Sequence, residues 1–111
     1  MKMKEYVMIP FQVKKDRLDE AKKAINELIS NVKEKEPGTL LYKSLQLKND
    51  PTSFINFIVF ADNNAHMKHR SAAYVMDFVK KLYELCQDEP FPVFLERFDS
   101  CGTAVEALKQ K

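Results

Sequence analysis

The chain has 111 residues, enough for one domain but not for two, because a domain usually needs about 100 to 150 residues to enclose a core. Its 45% hydrophobic content, with only two Gly and five Pro, is typical of a globular protein and excludes a disordered chain. The net charge is +2, with acidic and basic residues interleaved. This balance argues against nucleic acid as a partner.

Neither a membrane segment nor a cysteine framework is predicted. No apolar run approaches the roughly 18 residues that span a bilayer, and the charged start of the chain is followed by a short strand rather than a secretory core. We therefore expect no membrane partner and a cytoplasmic location. Cys86 and Cys101 are far apart in sequence and are predicted to be unpaired thiols, without a disulfide or a metal site.

The first part of the chain predicts a strand followed by a long helix. Residues 6–13 alternate between two faces, which is the period of a strand. Asp16 is predicted to cap a helix whose apolar residues recur at helical spacing up to Val32. The sequence Glu36-Pro37-Gly38 is predicted to end it, because Pro cannot continue a helix and Gly accepts a left-handed exit.

The next two segments predict a hairpin. Residues 39–47 and 53–61 have strand character, and the polar residues 49–52 between them predict a turn. The second of these strands is apolar on both faces except for Asn56. Both faces are therefore expected to be covered.

The remaining elements are two helical segments and a last strand. Asp62 is predicted to cap a short helical turn that reaches His69, and Ser71 to cap a longer helix that runs to Cys86. Residues 93–98 predict a fourth strand. We expect one domain over residues 1–111, with its core in residues 5–99 and a C-terminal tail over residues 100–111 that could hold a turn of helix.

The order of these elements predicts the fold class. Strand, helix, strand, strand, helix, strand is the βαββαβ order of the α+β ferredoxin-like fold, in which two helices cover one face of a four-stranded antiparallel sheet. The other face would then expose a large apolar patch, which monomers rarely leave in water. We therefore expect a homodimer whose two sheets pack face to face as a dimeric α+β barrel.

Several short motifs follow one another along the chain in a recognisable order. In chain order they are Glu36-Pro37-Gly38, Leu40-Leu41-Tyr42, Asp50-Pro51-Thr52-Ser53-Phe54, Phe60-Ala61-Asp62 and His69. With this order and spacing, the chain from about Tyr6 to Phe98 resembles the antibiotic biosynthesis monooxygenase family. The resemblance implies a ferredoxin-like monomer, a dimeric barrel and, for enzymes of the family, oxygenation of quinol-like or polycyclic aromatic substrates without metal or flavin. Phe60 departs from the pattern, since many members have Trp there.

Such chemistry requires a particular kind of site. Dioxygen reacts poorly with closed-shell molecules, so an enzyme without a redox cofactor must turn its substrate into a better electron donor by deprotonating it. That needs an apolar cavity for aromatic rings, a base and a polar anchor. Asn56 and Phe60 lie four residues apart on one strand, so they point the same way at a separation of roughly 13 Å. By resemblance, Asn56 is predicted to anchor the substrate and Phe60 to contact it in place of an indole.

The other predicted site residues are His69, Tyr42 and Tyr74. His69 matches a position where the family commonly has His, and it is predicted to orient or deprotonate the substrate hydroxyl; the alternative is a surface histidine with a structural role. Tyr42 and Tyr74 are predicted substrate contacts, with packing as the alternative. His66, three residues before His69, has metal-ligand spacing but no evident third ligand.

Two other functions fit the same sequence. One is a non-enzymatic dimeric binding or stress-response module that uses the same cavity, because a fold does not specify a function. The other is haem binding or degradation, which relatives of this fold perform with a helical His; the absence of Asn on the first strand and of Trp at position 60 counts against it. The charged runs Lys33–Glu36 and Lys80-Lys81 are predicted to be solvated.

Overall fold

The computed structural model describes residues 3–102. It contains four strands and three α-helices, with one 3-10 turn (Lys15–Arg17) before the first helix. In chain order they are β1 (Glu5–Gln12), α1 (Leu18–Lys35), β2 (Thr39–Leu47), β3 (Asp50–Phe60), α2 (Asn63–Ser71), α3 (Ala73–Leu85) and β4 (Val93–Leu95). The last strand is shorter than predicted, and the tail beyond residue 102 lies outside the described residues.

The four strands form one antiparallel sheet in the order β2-β3-β1-β4. Ile58 of β3 lies between Val7 of β1 and Tyr42 of β2, and Phe94 of β4 pairs with Val7 on the other side. This order, with the helices on one face, confirms the predicted ferredoxin-like fold. Pro10 lies beyond the part of β1 that pairs with β4, so its missing N–H costs no bond to that strand.

One face of the sheet packs against the helices and forms the core. Val7, Phe11 and Val13, which lie on one side of the first predicted strand, are buried, as are Phe54, Asn56, Ile58 and Phe60 of β3. Helices α1 and α3 supply the opposing side through residues that recur at helical spacing, such as Ile25, Leu28, Phe78 and Leu82. The site described below lies within this layer.

The other face of the sheet is apolar and partly exposed. Ile55 and Phe57 of β3 are half-buried, and their cross-strand neighbours include Met8 and Leu45. Leu45 keeps 48% of its surface exposed and Leu95 keeps 40%. A face of this kind is suited to burial against another protein surface.

The helix ends agree with the predictions only in part. Asp62 caps α2 as predicted, since its carboxylate accepts a hydrogen bond of 2.8 Å from the Ala65 N–H. The caps predicted for Asp16 and Ser71 are wrong: α1 begins without a side-chain cap, and Ser71 instead donates to carbonyls in the last turn of α2. The break between α2 and α3 falls at Ala72, whose backbone is extended. No helix within residues 3–102 is long and apolar enough to cross a membrane.

The predicted role of Gly38 is also wrong. Gly38 does not have the left-handed backbone conformation, which in the described residues occurs only at Gly102. Its lack of a side chain matters for another reason, because a Cβ built at Gly38 would lie 2.6 Å from the Cβ of Ala65. Gly38 therefore allows α2 to lie close to the start of β2. The hairpin turn also differs from the prediction, since β3 begins at Asp50 and only Lys48 and Asn49 form the turn.

Substituting Gly38→Ala should lower the free energy of unfolding by about 1 to 3 kcal/mol, because the added methyl group overpacks the contact with α2. Denaturant unfolding of the variant measures the loss. The matched control is the same substitution in an Ala65→Gly background, where the clashing methyl is absent. An equal loss in both backgrounds would contradict the proposed contact.

Candidate functional site

A cavity of about 260 Å³ lies between the inner face of the sheet and helices α2 and α3. Most of its wall is apolar. Its polar lining residues are Tyr42, Asn56, His66, His69, Arg70 and Tyr83. Of the five site residues predicted from the sequence, four line this cavity, namely Tyr42, Asn56, Phe60 and His69. An apolar cavity with a few convergent polar groups is the usual form of a small-molecule site.

Asn56 is the central polar residue of the cavity. It lies in the middle of β3 with only 1% of its surface exposed. Its Nδ2 donates a hydrogen bond of 3.1 Å to the Tyr42 hydroxyl, but its Oδ1 is buried and has no partner among residues 3–102. A buried unpaired carbonyl costs about 1 to 3 kcal/mol. Buried polar atoms are rarely left in this state, so Oδ1 is suited to accept a hydrogen bond from a ligand.

Tyr42 lies between Asn56 and His69 and contacts both. It is positioned by β2, and its ring centroid lies 5.9 Å from that of His69. Burial, which disfavours the phenolate, raises the pKa of Tyr42 above its ordinary value, although the hydrogen bond from Asn56 opposes the shift. Tyr42 therefore remains a neutral hydroxyl that orients the Asn56 amide.

His69 is paired with a carboxylate that sequence reasoning missed. Its Nδ1 lies 2.8 Å from Oε1 of Glu36, and both side chains are more than nine-tenths buried, with 8% and 9% of their surface exposed. Thr39 donates a hydrogen bond of 2.6 Å to the same oxygen. The Tyr74 hydroxyl donates a short hydrogen bond to the second oxygen. Glu36 thus collects donors from β2, α2 and α3.

The protonation of this pair follows from its surroundings. Burial alone would raise the pKa of Glu36, but hydrogen bonds from Thr39, Tyr74 and His69 outweigh it and lower the pKa. Burial also lowers the pKa of His69, against the opposing effect of Glu36. An ionised Glu36 can only accept, so His69 donates from Nδ1. In neutral His69, Nε2 then carries the lone pair, and it has no hydrogen-bond partner among the described residues.

Tyr74 occupies a different position from the one predicted. It does not line the cavity with Asn56 and His69, because its hydroxyl is bound to Glu36. Burial and the adjacent carboxylate raise the pKa of Tyr74 to about 12, so the hydroxyl remains a donor. Tyr74 therefore holds the Glu36 carboxylate in place and does not face the cavity.

Phe60 separates two imidazole rings on the cavity wall. The His69 ring is tilted against it at a centroid distance of 5.3 Å, and the His66 ring is stacked on it at 4.5 Å. His66 Nδ1 lies 2.6 Å from Oε1 of Glu5. Because the two histidines bind different carboxylates, they do not share one ligand set. Within residues 3–102 no group of three His, Cys, Asp or Glu side chains could hold a metal ion.

The sequence did not reveal two carboxylate–histidine pairs of the site. These are Glu36 with His69 and Glu5 with His66. The solvated state predicted for the run Lys33–Glu36 is wrong at Glu36, whose side chain is buried. One signal was available, since Glu36 directly precedes Pro37-Gly38, where the chain leaves α1 and turns into the sheet. A carboxylate at such a sharp turn lies next to the layer between helices and sheet.

An apolar cavity with a buried amide and a buried His–Glu pair, on a ferredoxin-like α+β fold, has the features of a small-molecule site. Comparison with known families then identifies the family. The model of the antibiotic biosynthesis monooxygenase family matches residues 6–81, more than half of the 111 residues, and the chain belongs to this family. No curated protein gives a significant match.

Solved structures support the same fold. A candidate antibiotic biosynthesis monooxygenase from Nitrosomonas europaea has a TM-score of 0.80 at 18% identity, over 92% of this chain and 97% of that one. A similar protein from Caulobacter crescentus has a TM-score of 0.81 at 19% identity, over 88% and 92% of the two chains. A third, from Bacteroides thetaiotaomicron, gives 0.79 at 17% identity, over 86% and 90%. At these identities the likeness establishes the fold.

The double substitution Tyr42→Phe with Asn56→Leu should lower the free energy of unfolding by no more than about 1 kcal/mol, and could raise it. The reason is that it removes the unpaired Asn56 Oδ1 together with the Tyr42 hydroxyl that binds the same amide. Denaturant unfolding tests this. Asn56→Leu alone is the control, and it should be less stable because it leaves the Tyr42 hydroxyl without its partner. A loss of more than about 2 kcal/mol in the double variant would show that the amide is needed for folding.

Proposed function

We propose that the protein is a cofactor-independent monooxygenase that oxidises a small aromatic, quinol-like substrate with O2. The observation that carries this proposal is the presence, on one apolar cavity, of an unpaired amide oxygen at Asn56 and a neutral His69 held by Glu36. The first can accept a hydrogen bond from a ring hydroxyl, and the second can take its proton. Membership in the family supports a monooxygenase-like role.

The proposed reaction begins with proton removal. Nε2 of His69 takes the proton of a ring hydroxyl, while Asn56 holds an oxygen of the substrate in place. The resulting phenolate transfers one electron to O2, and the substrate radical and superoxide then combine to form a carbon–oxygen bond. The O–O bond breaks, one oxygen stays on the ring, and the other leaves as water with two protons, one returned by His69 and one from the second ring hydroxyl. Both oxygen atoms are reduced by electrons from the substrate, so no other reductant is required.

Glu36 is a positioning residue in this scheme. By accepting from Nδ1 it fixes the tautomer in which Nε2 is the free base. It also stabilises the imidazolium that forms after proton transfer, as the carboxylate does in other His–carboxylate pairs. Thr39 and Tyr74 hold the carboxylate in turn.

The decisive experiment measures O2 uptake with 1,4-dihydroxynaphthalene, corrected for its oxidation without protein. His69→Gln should lower kcat/KM by about 10²-fold or more, the usual size of a general-base contribution. Asn56→Ala should also lower kcat/KM, because the substrate loses the group that holds it in place. Lys80→Gln, an exposed residue on α3, is the control and should react at the native rate. Equal rates in all four proteins would remove the proposed site, and ligand binding without O2 uptake would favour the binding module.

The pH profile of the same reaction provides a second readout. Because burial lowers the pKa of His69 below its ordinary value of 6.5, the acidic limb of kcat/KM should have its midpoint below pH 6.5. Glu36 opposes that shift, so Glu36→Gln should move the limb to still lower pH while reducing the rate. A limb at or above pH 6.5, unchanged in Glu36→Gln, would contradict this role of the pair.

We further propose that the protein acts as a homodimer that buries the apolar outer face of the sheet, with a cytoplasmic location as expected from the sequence. Phe57→Lys places a charge at the middle of that face, and it should raise the dimer dissociation constant by about 30-fold or more, the effect of losing one central interface residue. Sedimentation velocity measures the change. Asn26→Lys, on the exposed side of α1, is the control. A native protein that sediments as a monomer at high concentration would contradict the proposal.

A further inference from the structure

We propose that His66 and Glu5 form a second proton-accepting pair of the same cavity, and that this pair selects an aromatic ring with two hydroxyl groups over a ring with one. The inference rests on the proposed function and deepens it. It starts from a feature of the cavity that the mechanism above does not use, a second buried imidazole beside Phe60.

The position of His66 makes it a cavity residue rather than a surface histidine. His66 and His69 are three residues apart on α2 and therefore lie on the same side of the helix. His66 is only 7% exposed and lines the cavity. Its ring is nearly parallel to that of Phe60, with an angle of 10° between the planes. Glu5 holds Nδ1, which leaves Nε2 as the nitrogen that a ligand in the cavity can reach.

Glu5 binds Nδ1 of His66 as Glu36 binds Nδ1 of His69, but from a more open position, with 32% of its side chain exposed. Its Oε1 lies 2.6 Å from His66 Nδ1, and Asn63 donates to its Oε2 at 3.1 Å. The hydrogen bond from His66 lowers the pKa of Glu5, although burial opposes the shift. An ionised Glu5 accepts from Nδ1, so Nε2 of neutral His66 is an acceptor. Nε2 has no hydrogen-bond partner among the described residues.

The sheet register places the two pairs on either side of Phe60. Glu5 of β1 is the cross-strand partner of Phe60 on one side, and Thr39 of β2, which donates to Glu36, is its partner on the other. Both imidazoles line the cavity, so a flat ring bound in the cavity has one His–Glu pair towards each flank of Phe60. A ring with two hydroxyl groups can donate a hydrogen bond to each imidazole at once. A ring with one hydroxyl leaves one imidazole without a donor.

The second pair also matches the proton balance of quinol oxygenation. A dihydroxy ring and O2 give a hydroxyquinone and water: two hydroxyls become carbonyls, and one ring C–H becomes C–OH. The substrate loses four electrons, which reduce the two oxygen atoms of O2. The two hydroxyl protons leave with the departing oxygen as water. His69 and His66 each carry one of them, so neither imidazole has to accept both.

The test compares two ligands under argon, 1,4-dihydroxynaphthalene and its monomethyl ether 4-methoxy-1-naphthol, by titration calorimetry. The native protein should bind the dihydroxy compound at least about tenfold more tightly, the size of one hydrogen bond to a paired imidazole. His66→Phe keeps a flat ring against Phe60 but removes the acceptor, and it should reduce the preference to within about twofold. Lys80→Gln, the exposed α3 variant used above, is the control and should keep the native preference.

Oxygen uptake with 1,4-dihydroxynaphthalene separates this inference from the proposed function. His66→Phe should lower kcat by about 10²-fold if His66 carries a proton. A native protein that shows the binding preference but consumes no O2 would overturn the proposed function and leave the inference standing. A His66→Phe variant that keeps both the native preference and the native rate would overturn the inference alone. If His66→Phe does not fold, Glu5→Gln provides the same comparison with the His66 ring retained, and an unchanged preference there overturns it equally.

Discussion

The burial of one carboxylate organises the functional half of this molecule. Glu36 lies at the end of α1 with its side chain 9% exposed, where an unpaired charge would be strongly unfavourable. Donors from three other elements, Thr39, His69 and Tyr74, satisfy its two oxygens. These bonds attach the end of α1 to β2, α2 and α3, and they fix the orientation of the imidazole that faces the cavity. The absence of a side chain at Gly38 lets α2 approach closely enough for this arrangement.

The cavity contains polar groups whose hydrogen-bonding capacity the described residues do not fully use. The Asn56 Oδ1 is buried without a partner, although Leu at this position would fill the same space. Two histidines lie against Phe60. Each has its Nδ1 bound to a carboxylate, and its Nε2 has no hydrogen-bond partner among the described residues. Local conflicts of this kind are expected where a protein binds a ligand, because the missing partner arrives with that ligand.

Part of the site could be predicted because two of its residues share one strand. The period of β3 places Asn56 and Phe60 on the same face from spacing alone, and the apolar neighbours of Asn56 mark the amide as exceptional. Glu5, Glu36 and His66 were not recognised, because each is polar and lies near other charged residues, where solvation is the usual outcome. Their roles arise from long-range contacts: Glu36 and His69 are 33 positions apart in the sequence, and Glu5 and His66 are 61 positions apart. Tyr74 was predicted to face the cavity, but its hydroxyl turns to Glu36 instead.

The sequence by itself determined the order of strands and helices, the alternation of the first strand, the cap at Asp62 and the family, because each depends on local periodicity or on short motifs. The tertiary structure alone decided which charges are buried, which histidine nitrogen is free and why position 38 is Gly. These outcomes depend on distances between elements that are remote in the chain. Hydrogen bonding and steric exclusion act through such distances, and the order of residues along the chain does not specify them.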